Sequence, residues 1–134
     1  MNNLKIHHIG YLVKRIEKAI KAFEDLGFVV EKPSKIDSTR NVSIAFLIKD
    51  GYRIELVSPI NEESVVFNLL KKYKNSPYHI CYESDKGNFE HDIELLINQG
   101  YVAIDEPTPA PCIDGRRVVF LMNPSLGMVE LLEY

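Results

Sequence analysis

Two histidines and two glutamates recur at matching places in this chain of 134 residues. His8 stands in His8-Ile9-Gly10-Tyr11, and His79 follows 71 positions later in His79-Ile80-Cys81-Tyr82. Glu55 stands in Arg53-Ile54-Glu55-Leu56-Val57, and Glu130 follows 75 positions later in Val129-Glu130-Leu131-Leu132. Between each histidine and its glutamate lies a glycine at the end of a helical pattern, Gly27 and Gly100, 73 apart. So steady an offset points to duplication of one supersecondary unit. Two imidazoles and two carboxylates related by a pseudo-twofold repeat are a donor set for a divalent cation.

Taken singly, each of the four has an ordinary explanation. A lone histidine in a strand is usually a hydrogen-bonded structural residue, and a lone glutamate in an antiparallel strand usually faces water. The repeat changes the weighing, because solvation alone does not put all four at equivalent positions. A carboxylate bracketed by aliphatic residues on a concave surface is costly unless a cation compensates it. His7 points to the strand face opposite His8, and His91 falls on a polar helix face; both are assigned to ordinary roles.

The elements that must carry these residues are read from periodicity. Residues 4–13 pattern as a strand. Residues 14–26 then shift to helical spacing through Ile16, Ala19, Ile20, Phe23 and Leu26, with Gly27 as a left-handed cap. Strands follow near 28–32, 42–49 and 52–58, the last two joined by an Asp50-Gly51 hairpin turn. A connector, 59–76, holds a short helix near 63–73 with Val66, Leu69, Leu70 and Tyr73 facing inward. The second copy opens at Pro77 with a strand at 78–83. A helix at 88–99 follows, with Phe89, Ile93, Leu96 and Ile97 on one face, and strands at 101–104, 116–122 and 128–133 complete it. Each half is therefore βαβββ: one module spans about 4–58, the other about 77–134, in a single domain covering 1–134. Glu106 to Pro111, with prolines 107, 109 and 111, is stiff and excluded from central sheet pairing. It reads equally as a rigid surface loop or as a wall over a pocket.

Composition bounds the function class. A net charge of −3 argues against nucleic acid or an anionic membrane as the main partner. No apolar run reaches membrane-spanning length, and no signal-peptide pattern opens the chain. Cys81 and Cys112 fit no zinc or redox spacing, so reduced thiols in the cytoplasm are expected.

The same segments carry a family resemblance. His8-Ile9-Gly10 followed by a helix ending in Leu26-Gly27-Phe28 resembles the opening of the vicinal oxygen chelate superfamily. That superfamily includes glyoxalase I, methylmalonyl-CoA epimerase, ring-cleaving dioxygenases and antibiotic-binding proteins. Ile54-Glu55-Leu56, Tyr78-His79-Ile80 and Val129-Glu130-Leu131-Leu132 resemble its remaining ligand segments, so the likeness spans nearly the whole chain. It implies an α+β fold in which two tandem βαβββ modules form a curved mixed sheet around a U-shaped metal-binding cleft. It also implies His8, Glu55, His79 and Glu130 as ligands of one divalent ion (nickel, zinc, cobalt, manganese or magnesium), and a homodimer.

The chemistry implied is proton removal beside a carbonyl, with Glu130 and Glu55 as proton-handling groups. Glutamate at position 55 resembles glyoxalase I, whereas methylmalonyl-CoA epimerases usually carry glutamine there. The leading expectation is thus a glyoxalase I-type lyase acting on a 2-oxoaldehyde thiohemiacetal through an enediolate. An epimerase acting on a CoA thioester comes second. A non-catalytic protein sheltering a small molecule against Phe46, Phe120 and Met122 comes third. Arg116 and Arg117 are candidates for an anionic thiol or CoA phosphates, with solvent the expected fate of at least one.

Overall fold

The computed structural model describes residues 3–134. The chain divides into two compact units, one spanning His8–Tyr78 and the other His79–Tyr134 together with residues 3–7. The first strand, β1 (Lys5–Leu12), enters the first unit at His8. Then come helix α1 (Ile16–Asp25), strands β2 (Val29–Asp37), β3 (Val42–Lys49) and β4 (Tyr52–Pro59), and a short helix α2 (Phe67–Tyr73). The second unit holds β5 (Ser76–Glu83, from His79 on), α3 (Phe89–Asn98), β6 (Val102–Ala103), β7 (Thr108–Ala110), β8 (Arg116–Asn123) and β9 (Gly127–Leu132). The architecture is mixed α+β.

In the first unit the strand order is β2-β3-β4-β1, and the first strand lies parallel to the last through Ile9↔Ile54 and Gly10↔Glu55. The second unit repeats this with order β5-β9-β8-β6, where β5 lies parallel to β9 through Ile80↔Val129 and Cys81↔Glu130. Parallel pairing of strands so far apart in sequence needs a crossover, and the intervening helix supplies part of it.

Helix and sheet meet because their periodicities agree. Ile16, Ala19, Ile20 and Phe23 form one stripe of α1, and they pack on Ala45, Leu47, Ile54 and Leu56 together with Ile9 and Tyr11. In the second unit Phe89, Ile93 and Leu96 of α3 pack with Val119, Leu121, Leu131 and Tyr82. Fully burying each such side chain contributes about 1.5–3 kcal/mol before conformational entropy is subtracted. Strand side chains alternate faces, so the residues between these core positions face away from the helices. Those residues are His8, Phe46 and Glu55 in one unit and His79, Phe120 and Glu130 in the other.

The turn chemistry follows the sequence. Asp50 and Gly51 both have positive φ, 53° and 82°, and close a hairpin in register Lys49↔Tyr52. Gly27 takes φ +98° at the end of α1, a conformation that penalises any side chain.

Several expectations are corrected. Residues near 28–32 form a longer strand, Val29–Asp37, which carries Pro33. Proline is accommodated because, among the described residues, β2 is an edge strand beside β3 and its register shifts between Val30 and Lys35. The connector helix starts only at Phe67, after turns whose amides are taken by Asn61 and Ser64. Val66 is buried as expected, whereas Tyr73 is exposed. Leu26 and Ile97, at the last turns of their helices, are also exposed. The strand expected over 101–104 is reduced to Val102–Ala103. Part of the proline-rich segment is a strand rather than a loop: Thr108–Ala110 pairs with Arg116–Val118 beside β8.

Candidate functional site

In the first unit the carboxylate of Glu55 meets the imidazole of His8, with Oε1 3.3 Å from Nε2. Parallel pairing sets this contact, because Gly10 is the cross-strand partner of Glu55 and His8 lies two residues earlier on the same face. On the other flank Phe46 is the antiparallel partner of Glu55, and its ring stands edge-on to His8 with centroids 5.5 Å apart.

The second unit reproduces this arrangement. Glu130 Oε1 lies 3.0 Å from His79 Nε2, Cys81 takes the place of Gly10, and Phe120 that of Phe46. The Phe120 ring is edge-on to His79 at 5.2 Å. His8, Glu55, His79 and Glu130 are each at least 96% buried. Burying a carboxylate costs several kcal/mol unless positive charge lies beside it. A cation shared by the imidazole nitrogen and carboxylate oxygen would remove that cost. Each unit therefore brings one imidazole and one carboxylate of the kinds that bind divalent ions, both carried on strands rather than loops.

The two phenylalanines were missed as partners of the histidines, since sequence reasoning assigned them only to an apolar cleft. The signal was present, because the repeat that carries His8 onto His79 also carries Phe46 onto Phe120. Met122, grouped with them, is 39% exposed.

Arg116 and Arg117 are engaged by acids of their own unit. Arg116 pairs with Glu83, and its Nε donates to the Glu133 carbonyl at 2.7 Å. Arg117 donates to both Glu133 carboxylate oxygens, at 3.0 and 2.7 Å, pairs with Glu90, and lies over the Phe89 ring. Hydrogen bonds from Arg117 hold the Glu90 and Glu133 carboxyls below their usual 4.5. Hydrogen bonds to Glu133 and then Glu90 raise the guanidinium in return. This network ties β8 to α3 and to the end of the chain. His91 is exposed, as expected. Cys81 and Cys112 are both buried. No helix among the described residues is long and apolar enough to cross a membrane.

Residues 7–120 match the Glyoxalase/Bleomycin resistance protein/Dioxygenase superfamily, and the chain belongs to that superfamily. Two curated relatives narrow the comparison. The mitochondrial methylmalonyl-CoA epimerase of Dictyostelium discoideum is 29% identical over 133 residues, covering 96% of this chain and 78% of its own. That of Bos taurus is 26% identical over 137 residues, covering 95% and 73%. Among solved structures, hypothetical protein BH1468 from Bacillus halodurans C-125 has a TM-score of 0.84. It is 27% identical and covers 99% of this chain and 96% of that one. The expected α+β fold of the superfamily is therefore the fold observed. Both curated relatives carry the activity that the sequence ranked second, and the likeness to glyoxalase I rests at the superfamily level.

Proposed function

We propose that this protein is a divalent-metal-dependent isomerase that inverts the carbon between two carbonyls of a CoA thioester, as in methylmalonyl-CoA. The observation that carries this reading is the buried histidine–glutamate pair repeated in both units. The two curated relatives, both methylmalonyl-CoA epimerases, supply the substrate class. In this reading the two units work as one domain, and His8, Glu55, His79 and Glu130 together hold one ion. When bound, the ion supplies positive charge that polarises a carbonyl oxygen and so acidifies the neighbouring C–H.

The chain's own residues would do the rest. Inverting a carbon requires a proton to leave one side and another to arrive on the opposite side. Two carboxylates on different strands, Glu130 and Glu55, can each carry a proton. Phe46 and Phe120 stand edge-on to the imidazoles and would limit their rotation. The family resemblance adds a homodimer, which light scattering would check.

A second reading is favoured by one specific residue. Glu55 is an acid, as in glyoxalase I, where epimerases usually carry glutamine. One assay separates the two: metal-reloaded protein is offered one epimer of methylmalonyl-CoA and, separately, the methylglyoxal–glutathione thiohemiacetal. Interconversion of the epimers supports our reading. Turnover of the thiohemiacetal alone replaces it with the lyase.

A further inference from the structure

We propose that a cavity in the first unit, at the C-terminal ends of β1 and β4, binds the phosphorylated nucleotide end of the CoA thioester. This inference rests on the epimerase reading for the identity of the ligand, and on the cavity itself for its chemistry. The cavity measures about 630 Å³, and Pro59, Ile60, Phe67 and Leu70 supply its apolar lining. Lys14, Lys71 and Lys74 also line it, with no acidic residue among the lining side chains. Among the described residues none of these three lysines forms an ion pair. Three uncompensated cations around one concave site, in a chain of net charge −3, form a local field for an anion.

The local backbone gathers them. The Lys14 N–H donates to Asn75 Oδ1 at 2.9 Å, and its carbonyl accepts from Ser58 Oγ at 3.0 Å. Lys74 ends α2 with φ +60°, its N–H donating to the Leu70 carbonyl at 2.8 Å. The Lys71 ammonium lies 5.8 Å from the Phe67 ring centre, against the apolar lining. Flat apolar surface beside ammonium groups suits a heterocyclic base bearing phosphates better than it suits a bare inorganic anion.

The position also suits a long thioester. Lys14 lies six residues beyond His8 and Pro59 four beyond Glu55, or about 20 and 13 Å along extended chain. The pantetheine arm of CoA covers such a span between its thioester and its phosphates.

The test compares the wild type with Lys14→Gln/Lys71→Gln, two exposed residues whose replacement leaves the core untouched. Calorimetric titration uses CoA and, separately, adenosine 3′,5′-bisphosphate. We expect the double variant to bind CoA about tenfold more weakly, and wild-type affinity to fall as salt is added. It should raise KM for methylmalonyl-CoA by a similar factor at unchanged kcat, and leave methylmalonyl-pantetheine kinetics unaltered. Equal CoA affinity in the two proteins overturns the proposal, as does binding of neither probe. Lysine-dependent binding of the bisphosphate without CoA binding overturns the CoA assignment and makes the cavity a site for a free nucleotide. Lysine-dependent CoA binding without epimer interconversion supports the cavity and defeats the reaction. Interconversion with an unchanged KM in the variant defeats the cavity alone.

Discussion

His79 and Phe120 meet edge to face, with ring centroids 5.2 Å apart and planes at 86°. His8 and Phe46 do the same at 5.5 Å and 75°. In each unit the phenylalanine is also the cross-strand partner of the glutamate that faces the histidine. One aromatic ring thus flanks both donors, and the repeat preserves a three-residue arrangement rather than a pair. Neighbouring side chains that orient metal donors commonly change metal affinity by roughly 10- to 100-fold when they are replaced.

Phe46→Leu tests that orientation. Phe46 is 2% exposed, so the change removes ring contacts in a packed setting. We expect a stability loss of about 1–2 kcal/mol in denaturant titration, with affinity for a divalent ion reduced about 10- to 100-fold. Unchanged ion affinity in a folded variant would show that the ring only fills space.

Glu130→Gln keeps shape and removes the proton-accepting charge. Epimer interconversion should fall by about 10²-fold or more, while far-ultraviolet circular dichroism stays that of the wild type. Full activity in the variant would remove Glu130 from proton transfer.

The arginine network gives a pH prediction with a definite sign. Glu90 and Glu133 have folded pKa values below the usual 4.5, because Arg117 hydrogen-bonds to their ionised forms. The unfolded chain therefore binds more protons just below that pH. The stabilisation is fully present above the unfolded value and is lost as pH falls through the folded values. Arg117→Gln should flatten the acid side of a melting-temperature profile between neutral pH and pH 3, leaving the pH 3 value nearest the wild type. An identical acid slope in both proteins would contradict the assignment.

Gly100→Ala isolates a backbone cost. Gly100 has φ +100°, and a β-carbon there would meet nothing within 4 Å. Only the left-handed conformation is penalised, so the loss should be about 1–2 kcal/mol in chemical denaturation. A neutral or stabilising effect would mean that the helix end relaxes to another cap.

Much of this fold was legible because a duplication shows itself twice. The Gly27 and Gly100 caps and the Asp50-Gly51 hairpin follow from local chemistry, and His8, Glu55, His79 and Glu130 stand out because the repeat sets them at matching places. The parallel pairing of β1 with β4 and of β5 with β9 is a long-range register that no short pattern encodes. The length of β2 was hidden because Glu31 to Lys35 is polar and contains Pro33, a composition that an edge strand tolerates. Arg116 and Arg117 looked available for a ligand, since Glu83, Glu90 and Glu133 lie on three separate segments that only the fold assembles. The choice between epimerase and lyase turned on a single residue, Glu55, and one acid does not specify a substrate.

The central claim is that both histidine–glutamate pairs serve one ion. The measurement that tests it most directly is calorimetric titration of cobalt(II) into metal-stripped wild type, His8→Ala and His79→Ala. The account predicts one ion per chain in the wild type and a large loss of affinity in each variant alike. Two independent ions per chain, or a loss in one variant with full binding in the other, would contradict it.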